Sequence, residues 1–421
     1  MKTIYALFLS LFCLQSCSKD STVTAETYKG PLQYLAFQKF ASGTMEPDGD
    51  YMPLLPFRDK LEIEAFIQLV RNEIGVETLD NRKLAVIIGP ITLDHSDSSI
   101  KKLIDDSFDL ALQYDMAIGF HLDDGMFWAG REDLWSDPEN IEWQDWQGTL
   151  SESRYVDWVQ NRLAPQMCFN CPKVRAAMRE FLEHIAQTIK SRLDDLALQN
   201  KGYLFAGLMT GWETSLDEEF STKKTLGYHA LANRGFSETN LPADLDLERY
   251  QIVYEYIEFM ASTVISQGIP KEKVYGHVAI FSESLYTELA AQNPDLDESY
   301  IEINGFATTE SVINTAFQPG FSTYPSEGVF DQIYQSLNAS INSNWISAEG
   351  VNMILGNPPR NPGYGMESYL ARHYNHGAAM VNIFAFGLRG DTFTNALNNA
   401  VQGPDGITAY REFLRGKILV E

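Results

Sequence analysis

Residues 202–217 read GYLFAGLMTGWETSLD. The apolar run Tyr203–Met209 is too short for a helix and long enough for a strand. It does not alternate with polar residues, which suits a parallel strand buried on both faces. The run then passes through Gly211 and Trp212 to Glu213, the first carboxylate beyond it.

The same kind of run recurs along the chain. Leu32–Phe40, Leu84–Ile91, Met116–Leu122, Val274–Phe281, Tyr300–Ala307, Asn344–Ala348 and Ala378–Phe386 are the other predicted strands. Apolar residues at helical spacing predict helices over Phe57–Gly75, Ser98–Gln113, Val174–Leu198, Leu247–Ser266, Val329–Ala339, Tyr364–Gly377 and Ile407–Gly416. Eight strands alternating with helices predict an α/β chain folded as a (β/α)8 barrel. An open doubly wound sheet is the alternative, but no glycine cluster joins a strand to a helix start as a phosphate loop would.

The N-terminus has a different character. Lys2 precedes an apolar stretch, Ile4–Leu14, too short to span a bilayer stably, and Leu14-Gln15-Ser16-Cys17 follows. This resembles a bacterial lipobox, which implies a signal peptide over residues 1–16 and lipidation of Cys17. Residues 17–30 are polar and predict a flexible tether, leaving residues 31–421 for one barrel domain. The expected place is the cell envelope, with the membrane reached through the lipid on Cys17.

A formal charge of −25, with no basic patch, argues against nucleic acid as a partner. Past the leader and Cys17 only Cys168 and Cys171 remain, and a local disulfide is favoured over half a zinc site, because no second CxxC or HxxxH accompanies them. No metal or cofactor is expected.

In a barrel, chemistry gathers at the C-terminal ends of the strands. Here those ends carry Asp94 and His95, Asp123 and Asp124, Trp212 and Glu213, and Glu349. The stretch after the third strand holds Trp128, Trp135, Trp143, Trp146 and Trp158, five of the seven tryptophans. Indoles rimmed by polar residues suit the CH faces of sugar rings, and the same indoles can instead cover the barrel as a satellite core. The expected substrate-binding residues are Asp123, Asp124, Trp128, Trp212, His277, Tyr324 and Trp345. Asp123 and Asp124 can equally cap the loop's first turn, and His121 and His277 can be core histidines. Arg372, His373 and His376 are expected on the surface.

Glu213, in Gly-Trp-Glu-Thr after strand four, and Glu349, in Trp-Ile-Ser-Ala-Glu-Gly after strand seven, resemble the paired glutamates of the retaining glycoside hydrolases of the clan A barrel type. The resemblance implies that Glu213 is the acid/base and Glu349 the nucleophile, acting on a carbohydrate. It has one departure: Trp212 stands where the clan usually has an Asn that contacts the sugar 2-hydroxyl. If Trp212 covers Glu213, the indole should help keep that carboxyl protonated. Two other readings fit the residues. One is a carbohydrate-binding surface lipoprotein without catalysis. The other is metal-assisted hydrolysis by Asp94, His95, His121, Asp123 and Asp124, whose spacing matches no established ligand pattern.

Overall fold

The computed structural model describes residues 28–39, 59–91, 97–152, 154–155, 163–216, 219, 222, 224–280, 307–325, 328–340, 344–353, 364–384, 386–387 and 398–421. The expected leader, the anchor Cys17, Asp94, His95, Trp158 and nearly all of the expected strand Tyr300–Ala307 lie outside the described residues.

The barrel strands are β1 (Gln33–Gln38), β2 (Arg82–Ile91), β3 (Ala117–Leu122), β4 (Phe205–Thr210), β5 (Val274–Gly276), β6 (Gly320–Ser322), β7 (Trp345–Gly350) and β8 (Ala378–Ile383). They form one 8-stranded sheet in the order β5-β4-β3-β2-β1-β8-β7-β6, every pairing parallel. Isolated parallel bridges Tyr275↔Gln318 and Val278↔Phe321 join β5 to β6, which closes the sheet into the expected (β/α)8 barrel. The sixth strand is therefore Gly320–Ser322, inside a stretch that sequence reading assigns to a loop. Glu349 lies within β7 rather than after it.

Helices cover the outside: α1 (Lys60–Ile74), α2 (Asp97–Tyr114), α3 (Pro172–Leu198), α4 (Leu245–Ser266), α5 (Val329–Ala339), α6 (Met366–Tyr374) and α7 (Pro404–Leu414). Four of the starts have a local cause in the sequence. Asp59 accepts hydrogen bonds from the Leu61 and Glu62 backbone N–H groups, and Asp244 does the same for Asp246 and Leu247. Pro172 and Pro404 sit in the first turns of α3 and α7, where a missing N–H costs nothing. The buried stripe of α1, Ile63, Phe66, Ile67, Val70 and Ile74, joins the main core between helices and sheet. Tyr28 belongs to the fold rather than to a tether: its backbone N–H donates to the Gly416 carbonyl at 2.9 Å, and the Arg82 guanidinium lies 4.2 Å from its ring centre.

A second, smaller core fills the barrel. Tyr34, Ala36, Ala85, Ile87, Ala117, Ala206, Met209, Tyr275, Ile346, Ala348 and Met380 pack together there. Five of these eleven residues are alanines set among larger Tyr, Ile and Met side chains, as inward side chains from several strands converge on one axis. The period-2 alternation places Gln38, His277 and Asn382 two positions beyond Ala36, Tyr275 and Met380, and His121 four beyond Ala117. All four are fully buried, so the layer towards the C-terminal strand ends is polar where the layers beneath are apolar.

Candidate active site

Glu213 is carried by a tight turn that follows β4. Gly211 has φ +85 and Glu213 has φ +51, a left-handed conformation that costs a side-chain-bearing residue about 1–2 kcal/mol. A Cβ on Gly211 would collide with the Thr214 hydroxyl, so glycine is required there. The turn is held by Asp124, whose Oδ1 accepts from the Trp212 backbone N–H at 3.1 Å and from the Thr214 hydroxyl at 3.0 Å. These two bonds flank Glu213 on either side. Asp124 thus braces the turn, and Asp123 caps the helix Asp124–Ala129 by accepting from the Met126 N–H at 2.8 Å. Both are buried, and the capping alternative describes Asp123 better than sugar binding does.

Glu349 stands opposite in the cluster. Its backbone pairs in register with Ser322 on β6, and Ser322 Oγ is hydrogen-bonded to Glu213 Oε1. The Tyr324 hydroxyl donates to Glu349 Oε1, and the Trp212 side chain also favours the ionised form of this carboxyl. Thr323 fixes the segment: its N–H donates to the Glu349 carbonyl at 2.8 Å, and its hydroxyl lies 2.7 Å from Ser347 Oγ and 2.9 Å from the Tyr369 hydroxyl.

Glu213 and Glu349 are only 6% and 4% exposed, so neither carboxylate has much water to stabilise its charge. Burial first, and then the charge of Glu213, push the Glu349 carboxyl well above the ordinary carboxylate range. The Tyr324 and Trp212 donors pull the other way. Tyr324 itself is pushed up by burial and by both glutamates, so it remains a donor at neutral pH. A buried carboxyl raised in this way, beside a second buried carboxyl, takes up a proton more readily than a free one. A proton and a negative charge on neighbouring carboxyls are what acid-assisted displacement at a carbon centre uses.

The Trp212 indole stacks on His121, with ring centres 4.1 Å apart and planes 8° apart. His277 is a site neighbour rather than a ligand-facing residue: it is fully buried between His121 and Ser322. Tyr324 joins the cluster as expected. Trp128 and Trp345 do not. Trp128 is buried with its indole N–H on the Pro165 carbonyl at 2.7 Å, and Trp345 donates to the His376 carbonyl at 2.8 Å in the outer helix layer. Trp143 stacks on His229 and Trp146 packs edge-on against Tyr228, while Trp128 belongs to the main core and Trp135 and Trp146 pack against it. His373, expected on the surface, is fully buried with its Nδ1 on the Tyr369 carbonyl at 2.7 Å.

Sequence reading missed Gln38, Ser322 and Asn382. Gln38 and Asn382 were detectable as polar residues ending an apolar alternation, Tyr34-x-Ala36-x-Gln38 and Met380-x-Asn382. Cys168 and Cys171 are joined in the expected local disulfide, with Cα atoms 5.4 Å apart. Among the described residues they and His229 are also the cluster with metal-ligand chemistry. His229 lies 3.8 Å from Cys171 Sγ, and its Nδ1 faces the Ile141 carbonyl at 2.7 Å.

No family model matches the chain, and no curated protein matches it. Solved structures do. A GH5-4 broad specificity endoglucanase from an uncultured bacterium aligns at 9% identity over 91% of this chain and 97% of its own, with a TM-score of 0.44. A beta-1,4-mannanase from the sea hare Aplysia kurodai aligns at 13% identity over 90% and 96%, with a TM-score of 0.41. The catalytic domain of a GH26 endo-beta-1,4-mannanase from Bacillus sp. JAMB-750 aligns at 10% identity over 92% and 90%, with a TM-score of 0.40.

Proposed function

We propose that the chain is a glycoside hydrolase in which Glu213 is the general acid/base and Glu349 the nucleophile of a retaining mechanism. The observation that carries this reading is a pair of buried glutamates at the C-terminal end of one barrel, with Ser322 on Glu213 and Tyr324 on Glu349. Glu349 receives the Tyr324 hydroxyl, a donor that favours its ionised form, while the charge of Glu213 opposes that form. With a proton on Glu213, the Coulombic penalty on Glu349 disappears, and the pair holds one acid and one nucleophile.

Glu213 then protonates the glycosidic oxygen as Glu349 attacks the anomeric carbon, passing through an oxocarbenium-like state. Once the leaving group departs, Glu213 as carboxylate takes a proton from the water that hydrolyses the glycosyl-enzyme, and the pair returns to its starting state. Trp212 occupies the place beside the acid, which supports a substrate whose 2-position is not read by an amide. We further propose envelope anchoring through lipid on Cys17, on the strength of the Leu14-Gln15-Ser16-Cys17 sequence alone.

The test is product release from a panel of glycosides and polysaccharides by wild type, Glu213→Gln and Glu349→Gln. Loss of release in both variants, with a 2-deoxy-2-fluoro glycoside leaving its sugar on Glu349 by mass spectrometry, is expected. Release that survives either substitution refutes the assignment, and binding without release favours a carbohydrate-binding protein.

A further inference from the structure

The polar layer of the barrel interior contains a hydrogen-bonded chain that runs from β8 to the acid. It begins at Asn382, whose Nδ2 donates to the Ala348 carbonyl at 2.6 Å and to Gln38 Oε1 at 2.7 Å. Gln38 Oε1 lies 3.4 Å from His121 Nδ1, the longest link. His121 Nε2 lies 3.0 Å from His277 Nδ1, and His277 Nε2 lies 2.8 Å from Ser322 Oγ. Ser322 Oγ meets Glu213 Oε1.

The polarity of this chain follows from its fixed end. A backbone carbonyl only accepts, so the Ala348 contact identifies the Asn382 nitrogen, and that nitrogen identifies the Gln38 oxygen. An amide oxygen facing His121 Nδ1 calls for the proton on Nδ1. Burial pushes the His121 imidazole down to about 3 and that of His277 well below its ordinary value, so each ring is neutral and carries one proton. His121 Nε2 is then an acceptor, and His277 supplies its Nδ1–H. His277 Nε2 in turn accepts the one proton of Ser322. The contact between Ser322 and Glu213 is left needing a proton from Glu213.

We propose that this chain has a set polarity in which Ser322 accepts from a protonated Glu213, making Gln38, His121, His277 and Ser322 positioning residues that keep the proton on the general acid. This deepens the hydrolase reading, and only its kinetic test rests on that reading. Ionising Glu213 costs one hydrogen bond in either of two ways. The Ser322 hydroxyl turns to the carboxylate and leaves His277 Nε2 without its donor, or both imidazoles exchange tautomers and a His121 lone pair faces the Gln38 oxygen. Other groups face the same acid. Glu349 on β7 and Tyr324 beyond β6 couple to it, Asp124 brackets its turn, and Asp123 lies within electrostatic reach of Glu349. The Gly211 carbonyl is a second acceptor beside the His121 ring. These groups are untouched by a change at Ser322.

Ser322→Ala therefore isolates the contribution of the chain. The expected result is an alkaline limb of kcat/KM displaced to lower pH by about 0.5–1 unit, because the neutral acid loses its acceptor. A limb displaced upward means that Ser322 donates to an ionised Glu213, and an unmoved limb means that Ser322 is only structural; either result overturns the proposal. The second arm uses wild type and needs no substrate. Long-range proton–nitrogen NMR correlations of the imidazoles, assigned with His121→Asn and His277→Asn, should show both rings protonated on Nδ1 and not titrating between pH 5 and 9. Protonation on Nε2 in either ring overturns the polarity even if the protein hydrolyses no glycoside.

Discussion

Replacing Asp124 by alanine tests whether the site is held from outside. The turn at Glu213 stores about 1–2 kcal/mol of backbone cost through its left-handed φ of +51. It is held by two bonds to one carboxylate oxygen, at 3.1 Å and 3.0 Å. Hydrogen bonds to a charged acceptor are worth about 1.5–3 kcal/mol each, so the brace exceeds the strain by a few kcal/mol. Asp124→Ala removes it and leaves the Trp212 N–H buried without this acceptor. The expected loss in unfolding free energy is about 3 kcal/mol, read from urea denaturation. Relaxation of the turn by about an ångström should cost on the order of 100-fold in kcat. Asp124→Asn keeps an acceptor oxygen and drops the charge, so it should fall by less than about tenfold. An alanine variant with kcat within about threefold of wild type refutes the brace. Equal losses in the two variants assign the effect to the charge instead.

Burial pushes the Glu142 carboxyl up to about 7, against backbone N–H donors at Trp143, His229 and Ala230. Because its folded value is the higher one, its contribution to stability is complete below about 4.5 and is lost as pH rises through about 7. That amounts to on the order of 3 kcal/mol, and Glu142→Gln should flatten the pH dependence of the urea midpoint across this window. Gly350→Ala places a methyl against the Tyr369 and Thr323 hydroxyls beside Glu349, which should cost about 1–3 kcal/mol and displace Glu349, measured as a joint fall in melting temperature and kcat. The Cys168–Cys171 disulfide spans a sequence separation of only 3, so loop entropy limits the loss on reduction to about 2 kcal/mol, measured by denaturation with and without reductant.

The barrel was legible because most of its strands are continuous apolar runs, and parallel strands covered on both faces require this. The sixth strand escaped because Gly320–Ser322 is three residues long and lies among Pro319, Gly320 and Pro325, which read as punctuation. The two glutamates were legible as the first carboxylates at strand ends four and seven. Their surroundings were not. Whether an indole stacks on a histidine or covers a carboxyl depends on the left-handed turn at Glu213, which one-dimensional spacing does not encode. Trp128 and Trp345 misled for a related reason: a tryptophan looks the same in sequence whether its N–H meets a sugar or the Pro165 or His376 carbonyl.

The closure between β5 and β6 has a kinetic consequence. Gly276 and Val278 donate to Gln318 and Gly320, and Gln318 and Ser322 donate back to Val274 and Val278, at 2.9–3.2 Å. These bonds join two three-residue strands, whereas β1 and β2 share six paired positions. The barrel should breathe first along this line, with the Val278 and Ser322 amides exchanging with deuterated solvent well before those of β1 and β2. Ser322 belongs both to this weak edge and to the contact with Glu213, so each opening would admit water to a side chain that touches this carboxyl.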